Sequence, residues 1–238
     1  VGRTDTGATA GTGINLNNGE GTGNYTCAVD TDFFYVTINV REASSTITTI
    51  SALTYNGAVL GDGTQLAAET TPNSGSRIVT VYVYRFPGSF CDGAAHDLSA
   101  TLSASRFAVL AVAAYANVDT GDPDDTPVIT ETDGVETDPA PCGSVTTATG
   151  DLVLCTIAIR NSNTTVSAIT NGTEAWQDVT TNATGSSNVR ALGATTTGTG
   201  GQVIEYDLNV GTAEWATVSF NINGASTTTV WPTSGQFL

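Results

Sequence analysis

Lysine and methionine are absent from the 238 residues, and histidine occurs once, at His96. Each absence excludes a chemistry. Without an ε-amine the chain cannot form Lys–Asn isopeptide bonds or Lys-linked polymers, so any assembly it makes is non-covalent or disulfide-linked. The cations are seven arginines against 23 acids, for a net charge of −16. Phosphate binding needs clustered cations, so a nucleic-acid partner is not expected. An anionic membrane surface is disfavoured for the same reason. Only 13% of residues are charged, so the acidity reflects missing bases more than a carboxylate coat, and the expected surface is neutral, rich in Thr, Ser, Asn and Gly. No apolar run reaches the roughly 20 residues that span a bilayer; the longest lies near FAVLAVAAYA (107–116). Membrane insertion is not expected. The lack of methionine together with Val1 in first place points to a processed product.

Cysteine is scarce but even in number. Cys27, Cys91, Cys142 and Cys155 are widely spaced, with no Cys-x-x-Cys and a single histidine, so zinc is not expected. Two disulfides formed in an oxidising compartment are the expected state, with four small buried hydrophobes as the alternative. The pairing is not legible from spacing. Asn-x-Ser/Thr triplets at Asn24, Asn163, Asn171 and Asn182 occur about as often as chance dictates in a chain so rich in these residues, and say little about glycosylation.

What is abundant is alternation. Apolar and polar residues alternate in FFYVTINV (33–40), TITTISALTYNG (46–57), RIVTVYVYRF (77–86), HDLSATLS (96–103), GDLVLCTIAIR (150–160), NVRALGATTTG (188–198), GQVIEYDLNV (201–210) and EWATVSFNING (214–224). These runs are rich in Val, Ile, Thr, Tyr and Phe, and turn residues separate them. The segment RFAVLAVAAYANV (106–118) reads as a strand buried on both faces. No window carries an apolar stripe at helical spacing. The expected fold is all-β, a two-sheet antiparallel β-sandwich of jelly-roll type with about ten strands. Its divisions are an extended N-terminal arm (1–23), one sandwich domain (24–226) and a C-terminal tail (227–238).

The order ITTISALTYNGAVL, VYVYRFPGSF, HDLSATLS, FAVLAVAAYANVDTGDPDDTPV, SVTTATGDLVLCTIAI and EWATVSFNI resembles a jelly-roll module of bacteriophage structural proteins and bacterial surface or secreted proteins. In that module a strand ending in Y-N-G or Y-G-G is followed by a Tyr-containing strand and a Pro-Gly turn. A long buried strand then leads into an N-V-D-type loop. The resemblance covers roughly residues 30–225 and carries no catalytic residues with it; it implies display, adhesion or assembly.

Four constellations invite a chemical reading. Glu131, Asp133 and Glu136 form E-x-D-x-x-E, a spacing that resembles the catalytic run of laminarinase-like glycoside hydrolases. Those enzymes carry the acids on one face of a strand, whereas here Thr132, Gly134 and Val135 intervene between two Pro/Asp-rich stretches, so a solvated loop is expected. The wider segment 119–138 holds eight of the 23 acids. Asp119, Asp122, Asp124 and Asp125 are the candidate ligands there for Ca²⁺, the hard cation that an all-oxygen set favours; the alternative is a loop kept soluble by its own charge. His96 with Asp92 or Asp97 would have to serve any hydrolytic triad, but no strand-elbow-helix nucleophile accompanies it. Trp176 and Trp215 are expected to be buried, with a sugar-stacking platform as the alternative.

The ends of the chain are extended in character. Val1, Trp231, Phe237 and Leu238 are the candidate assembly contacts, by addition of a terminal strand to a neighbour's sheet edge or, equally, by folding back as edge strands of their own sandwich. The sequence therefore points to a non-enzymatic structural subunit of an extracellular assembly or virion surface, a capsid-decoration or tail protein first and a secreted filament or adhesin subunit second. Its partners would be copies of itself or other particle subunits, with a host-surface glycan as a minor expectation.

Overall fold

The computed structural model describes residues 2–5, 11–16, 24–42, 47–70, 78–131, 138–160, 163–180, 188–201, 203–209, 213–225 and 229–233. The period of two becomes strands throughout. In chain order these are β1 (Gly2–Asp5), β2 (Gly11–Asn15), β3 (Tyr25–Thr26), β4 (Phe33–Glu42), β5 (Ile50–Tyr55), β6 (Ala58–Val59), β7 (Thr64–Thr70), β8 (Ile78–Pro87), β9 (Ala95–His96), β10 (Leu98–Ala116), β11 (Val128–Glu131), β12 (Ala140–Pro141), β13 (Leu152–Arg160), β14 (Val166–Thr170), β15 (Thr173–Val179), β16 (Val189–Thr197), β17 (Glu205–Leu208), β18 (Trp215–Ile222) and β19 (Trp231–Thr233). Two short 3-10 turns, Leu60–Asp62 and Gly88–Phe90, are the helical pieces among the described residues, and no helix there is long and apolar enough to cross a membrane.

The fold is all-β and antiparallel, a β-sandwich as the alternation predicts, with one sheet curled on itself. That sheet runs β6-β5-β10-β4-β8-β7. Its spine is β10, in which the two separately predicted runs 96–103 and 106–118 fuse into one 19-residue strand. The polar residues between them read as a turn, but they form a bend instead: the registers to β2 and β5 both slip beyond Thr101, the mark of a bulge that redirects a strand without ending it. Before the bend β10 pairs with β5, beyond it with β4. The break between β4 and β5 is organised by Glu42. Its fully buried carboxylate accepts bonds from the Thr48 backbone N–H and hydroxyl at 2.8 and 2.6 Å and from Arg106 Nε at 2.9 Å. Asn56-Gly57, both at positive φ, close the two-residue hairpin from β5 to β6, the conformation such a turn requires.

A second sheet runs β11-β18-β13-β16-β15 and a small third one β12-β17-β14. Three cores follow. The concave face of the first sheet encloses Phe34, Ile38, Leu53, Tyr55, Phe86 and Leu110, with Phe34 stacked on Phe86 at 5.1 Å between ring centres. Its opposite face meets the second sheet through Tyr35, Val81, Val83 and Val109 against Leu154, Val218 and Phe220. The far face of the second sheet packs Val153, Ile157 and Trp215 against Tyr206 and Leu208 of the third. Strands β4, β13, β18 and the second half of β10 are buried on both faces; the apolar run of β10 is accordingly nearly continuous, whereas the alternation of β4 and β18 leaves Thr37, Asn39, Thr217, Ser219 and Asn221 buried. The layering goes beyond a simple pair of sheets.

The cysteines form two disulfides, Cys27–Cys91 and Cys142–Cys155. The first lies in the core of the curled sheet and the second between the second and third sheets. Two disulfides in one chain fit an oxidising compartment.

Candidate functional site

After β10 the chain crosses from the first sheet to the second through residues 117–127, and this crossover carries the predicted acidic cluster. Asn117 turns the chain at a φ of 60°. Two isolated bridges, Val118 to Gly224 and Asp124 to Ile222, then lay the crossover along the end of β18. Backbone bonds reinforce the seam: Asp119 N–H donates to the Asn223 carbonyl at 2.8 Å, and Asn223 N–H donates to the Pro123 carbonyl at 3.0 Å.

The four predicted ligands are brought onto one segment but not to one point. Asp124 turns inward, where Arg85 of β8 donates through Nη1 to both carboxylate oxygens at 2.6 Å. Burial pushes the Asp124 carboxyl up, and Arg85 pulls it only part of the way back. Asp119 Oδ1 accepts from Gly121 N–H at 2.9 Å, an Asx turn. Asp125 Oδ1 meets Asn223 Nδ2 at 3.4 Å, and the same Nδ2 donates to the Asp122 carbonyl at 2.8 Å. As the side chains lie, no three of His, Cys, Asp and Glu gather as a metal-holding group among the described residues.

Sequence reasoning missed the residues that complete this place. Asp151, in the turn before β13, accepts from Ala148 N–H at 2.6 Å, Asn221 Nδ2 at 2.9 Å and Gly224 N–H at 3.0 Å. With Asn221, Asn223, Asp119, Asp122 and Asp125 it lines an open cleft of about 360 Å³. Asp151 stands in the segment SVTTATGDLVLCTIAI, but about 70 residues separate it from Asn221, and nothing in local spacing joins them.

The other constellations are placed as follows. Glu131 is not in a loop: it ends the edge strand β11, opposite Ala216, while Asp133 and Glu136 lie outside the described residues. His96 Nε2 sits 3.0 Å from both oxygens of Asp92, an exposed pair; the Ala94 N–H and then His96 hold the Asp92 carboxyl below its ordinary value. Trp176 and Trp215 are both buried, Trp176 over Gly193 and Trp215 in the third core, so neither offers a ring face to a sugar.

The described parts of the chain's two ends meet on β10. On the edge of β10 away from β4 and β5, β2 covers Ser99–Arg106, β1 covers Val109–Val112 and β19, which contains Trp231, covers Ala114–Ala116. Val1, Phe237 and Leu238 lie outside the described residues. Comparison with protein-family models, curated proteins and solved structures finds no match, so the functional reading rests on this chain's own residues.

Proposed function

We propose that this chain is a non-enzymatic structural subunit of an extracellular assembly, a virion coat or tail in the first place and a secreted filament in the second, and that neighbouring copies join by exchanging N-terminal strands. The observation that carries this reading is the seating of β2. Among the described residues it pairs with β10 alone, and its Ile14 and the following Leu16, both buried, enter the core of the curled sheet. The chain then continues through NNGEGTG (17–23), which lies outside the described residues.

The energetics suit exchange. Burying two aliphatic side chains contributes about 1.5–3 kcal/mol each, and the backbone bonds to β10 are the same whichever copy donates them. Own-chain and neighbour pairing are then close in energy, and concentration and linker geometry decide between them. The two disulfides and the Thr-rich, lysine-free composition support the same reading.

A cysteine pair at Gly13 and Thr101, which oppose each other in the β2–β10 register, tests it. The G13C/T101C protein is concentrated, imaged by negative-stain electron microscopy and run on a non-reducing gel. Ordered particles or fibres with a covalent ladder are expected. Particles built of internally linked monomers would overturn strand exchange, and a strictly monomeric chain at every concentration would overturn self-assembly as well.

A further inference from the structure

The cleft under the crossover has the chemistry of a hard-cation site. Asp119, Asp122 and Asp125 from the crossover and Asp151 from the turn before β13 line it, and no arginine or histidine is among the lining residues. Arg85 is engaged with Asp124 and does not neutralise the cleft. An independent observation points to a ligand. Asn221, 1% exposed, uses its Nδ2 on Asp151 and Asn223, and its buried Oδ1 has no hydrogen-bond partner. A buried amide oxygen without a donor is costly, and such an atom is ordinarily satisfied by water or an ion.

We propose that this cleft binds one Ca²⁺, with Asn221 Oδ1 and Asp151 Oδ1 as the fixed ligands and Asp119, Asp122 and Asp125 closing over the ion from the crossover. Asp151 Oδ1 accepts a single bond, from Gly224 N–H, and keeps a lone pair. Asp122 is exposed and Asp125 is partly so, which leaves them room to rotate inward, while Asp119 keeps Oδ1 on the Gly121 N–H and would offer its other oxygen. The ligand set is all oxygen, which disfavours zinc. Its mixture of carboxylate and amide oxygens, spread over three segments, suits the irregular six-to-eight coordination of Ca²⁺ better than the strict octahedron of Mg²⁺. Asp124, the fourth acid expected from the sequence, is replaced in this set by Asp151 and Asn221. A bound ion would fasten the crossover to the end of the second sheet, beside the point where Arg85 ties it to the first. This inference is independent of the proposed assembly.

Thermal unfolding and calorimetric titration of the whole chain with CaCl₂ provide the test. One Ca²⁺ per chain and a raised Tm relative to EDTA are expected, with a smaller shift in Mg²⁺. D122N/D125N, which alters only solvent-reaching carboxylates, is expected to keep the Tm measured in EDTA and lose both the shift and the heat of binding. The proposal is overturned if Ca²⁺ gives neither heat nor shift, if Mg²⁺ or added NaCl reproduces the shift, or if D122N/D125N responds to Ca²⁺ like the parent chain.

Discussion

Arg85 and Asp124 join the two large sheets: the guanidinium comes from the first sheet, and the aspartate sits on the crossover where it bridges Ile222 of the second. The carboxylate side chain is 6% exposed and the arginine 19%, and the guanidinium lies 5.2 Å from the centre of the Phe33 ring. Removing one partner of such a pair leaves a buried charge uncompensated. R85A is expected to lose about 3 kcal/mol by urea unfolding, and R85M/D124L to recover most of it. The pH dependence has a definite sign. With Arg85 gone, the folded-state pKa of Asp124 rises further above its unfolded value, so the folded state binds the extra proton. Stability of R85A should therefore increase as the pH falls through that folded pKa, an increase that R85M/D124L lacks.

Gly193 is required by its neighbour. A Cβ there would stand 2.1 Å from Nε1 of Trp176 and 2.5 Å from its Cε2, and Trp176 is itself buried in the core between the sheets. G193A forces the indole or β16 to move, a form of overpacking worth about 1–3 kcal/mol. A lowered denaturation midpoint with altered tryptophan fluorescence is expected. An unchanged midpoint would mean that the indole has room to shift at no cost.

The disulfides should differ in strength. Cys27–Cys91 closes a separation of 64 residues and Cys142–Cys155 one of 13. Chain-entropy reasoning gives about 4 and about 3 kcal/mol respectively. C27A/C91A is thus expected to be the less stable of the two double variants in denaturant titrations. The reverse order would place the difference in native packing instead of the unfolded chain.

All seven tyrosines titrate above their ordinary value of 10.0. Burial is the leading cause in each case, and Tyr82 and Tyr84 reach about 12. A phenol whose folded pKa exceeds its unfolded one keeps its proton longer in the native state. Stability is therefore full below pH 10 and falls as the pH rises above it. Tyrosinate absorbance should lag behind that of free tyrosine, then rise together with the loss of β-sheet circular dichroism. A smooth titration centred at pH 10 with the fold intact would contradict the burial of these phenols.

Much of the fold was legible because alternation is a local property. FFYVTINV, GDLVLCTIAIR and EWATVSFNING announce β4, β13 and β18 within a few residues. The short strands β14 and β15 were not legible: their segments TVSAITNGTEAWQDV are rich in polar residues, since both are edge strands, β14 mostly exposed and β15 half-buried apart from Trp176. The acidic crossover was visible as a cluster of charge, but not the division of labour within it. Asp124 and Asp122 look alike in the sequence; one is gripped by Arg85 and the other faces the cleft.

By itself the sequence determined the all-β class and most of the long strands, the net negative charge and absence of lysine, and the cysteine count that two disulfides require. Tertiary structure alone decided which cysteines pair, which strands are neighbours, that β10 continues through its polar middle, that both ends of the chain line its edge, and that Asp151 and Asn221 complete the cleft. The physical reason is that strand pairing uses backbone groups common to every residue, so an alternating segment specifies which face it buries and leaves its partner to be selected by packing among distant segments.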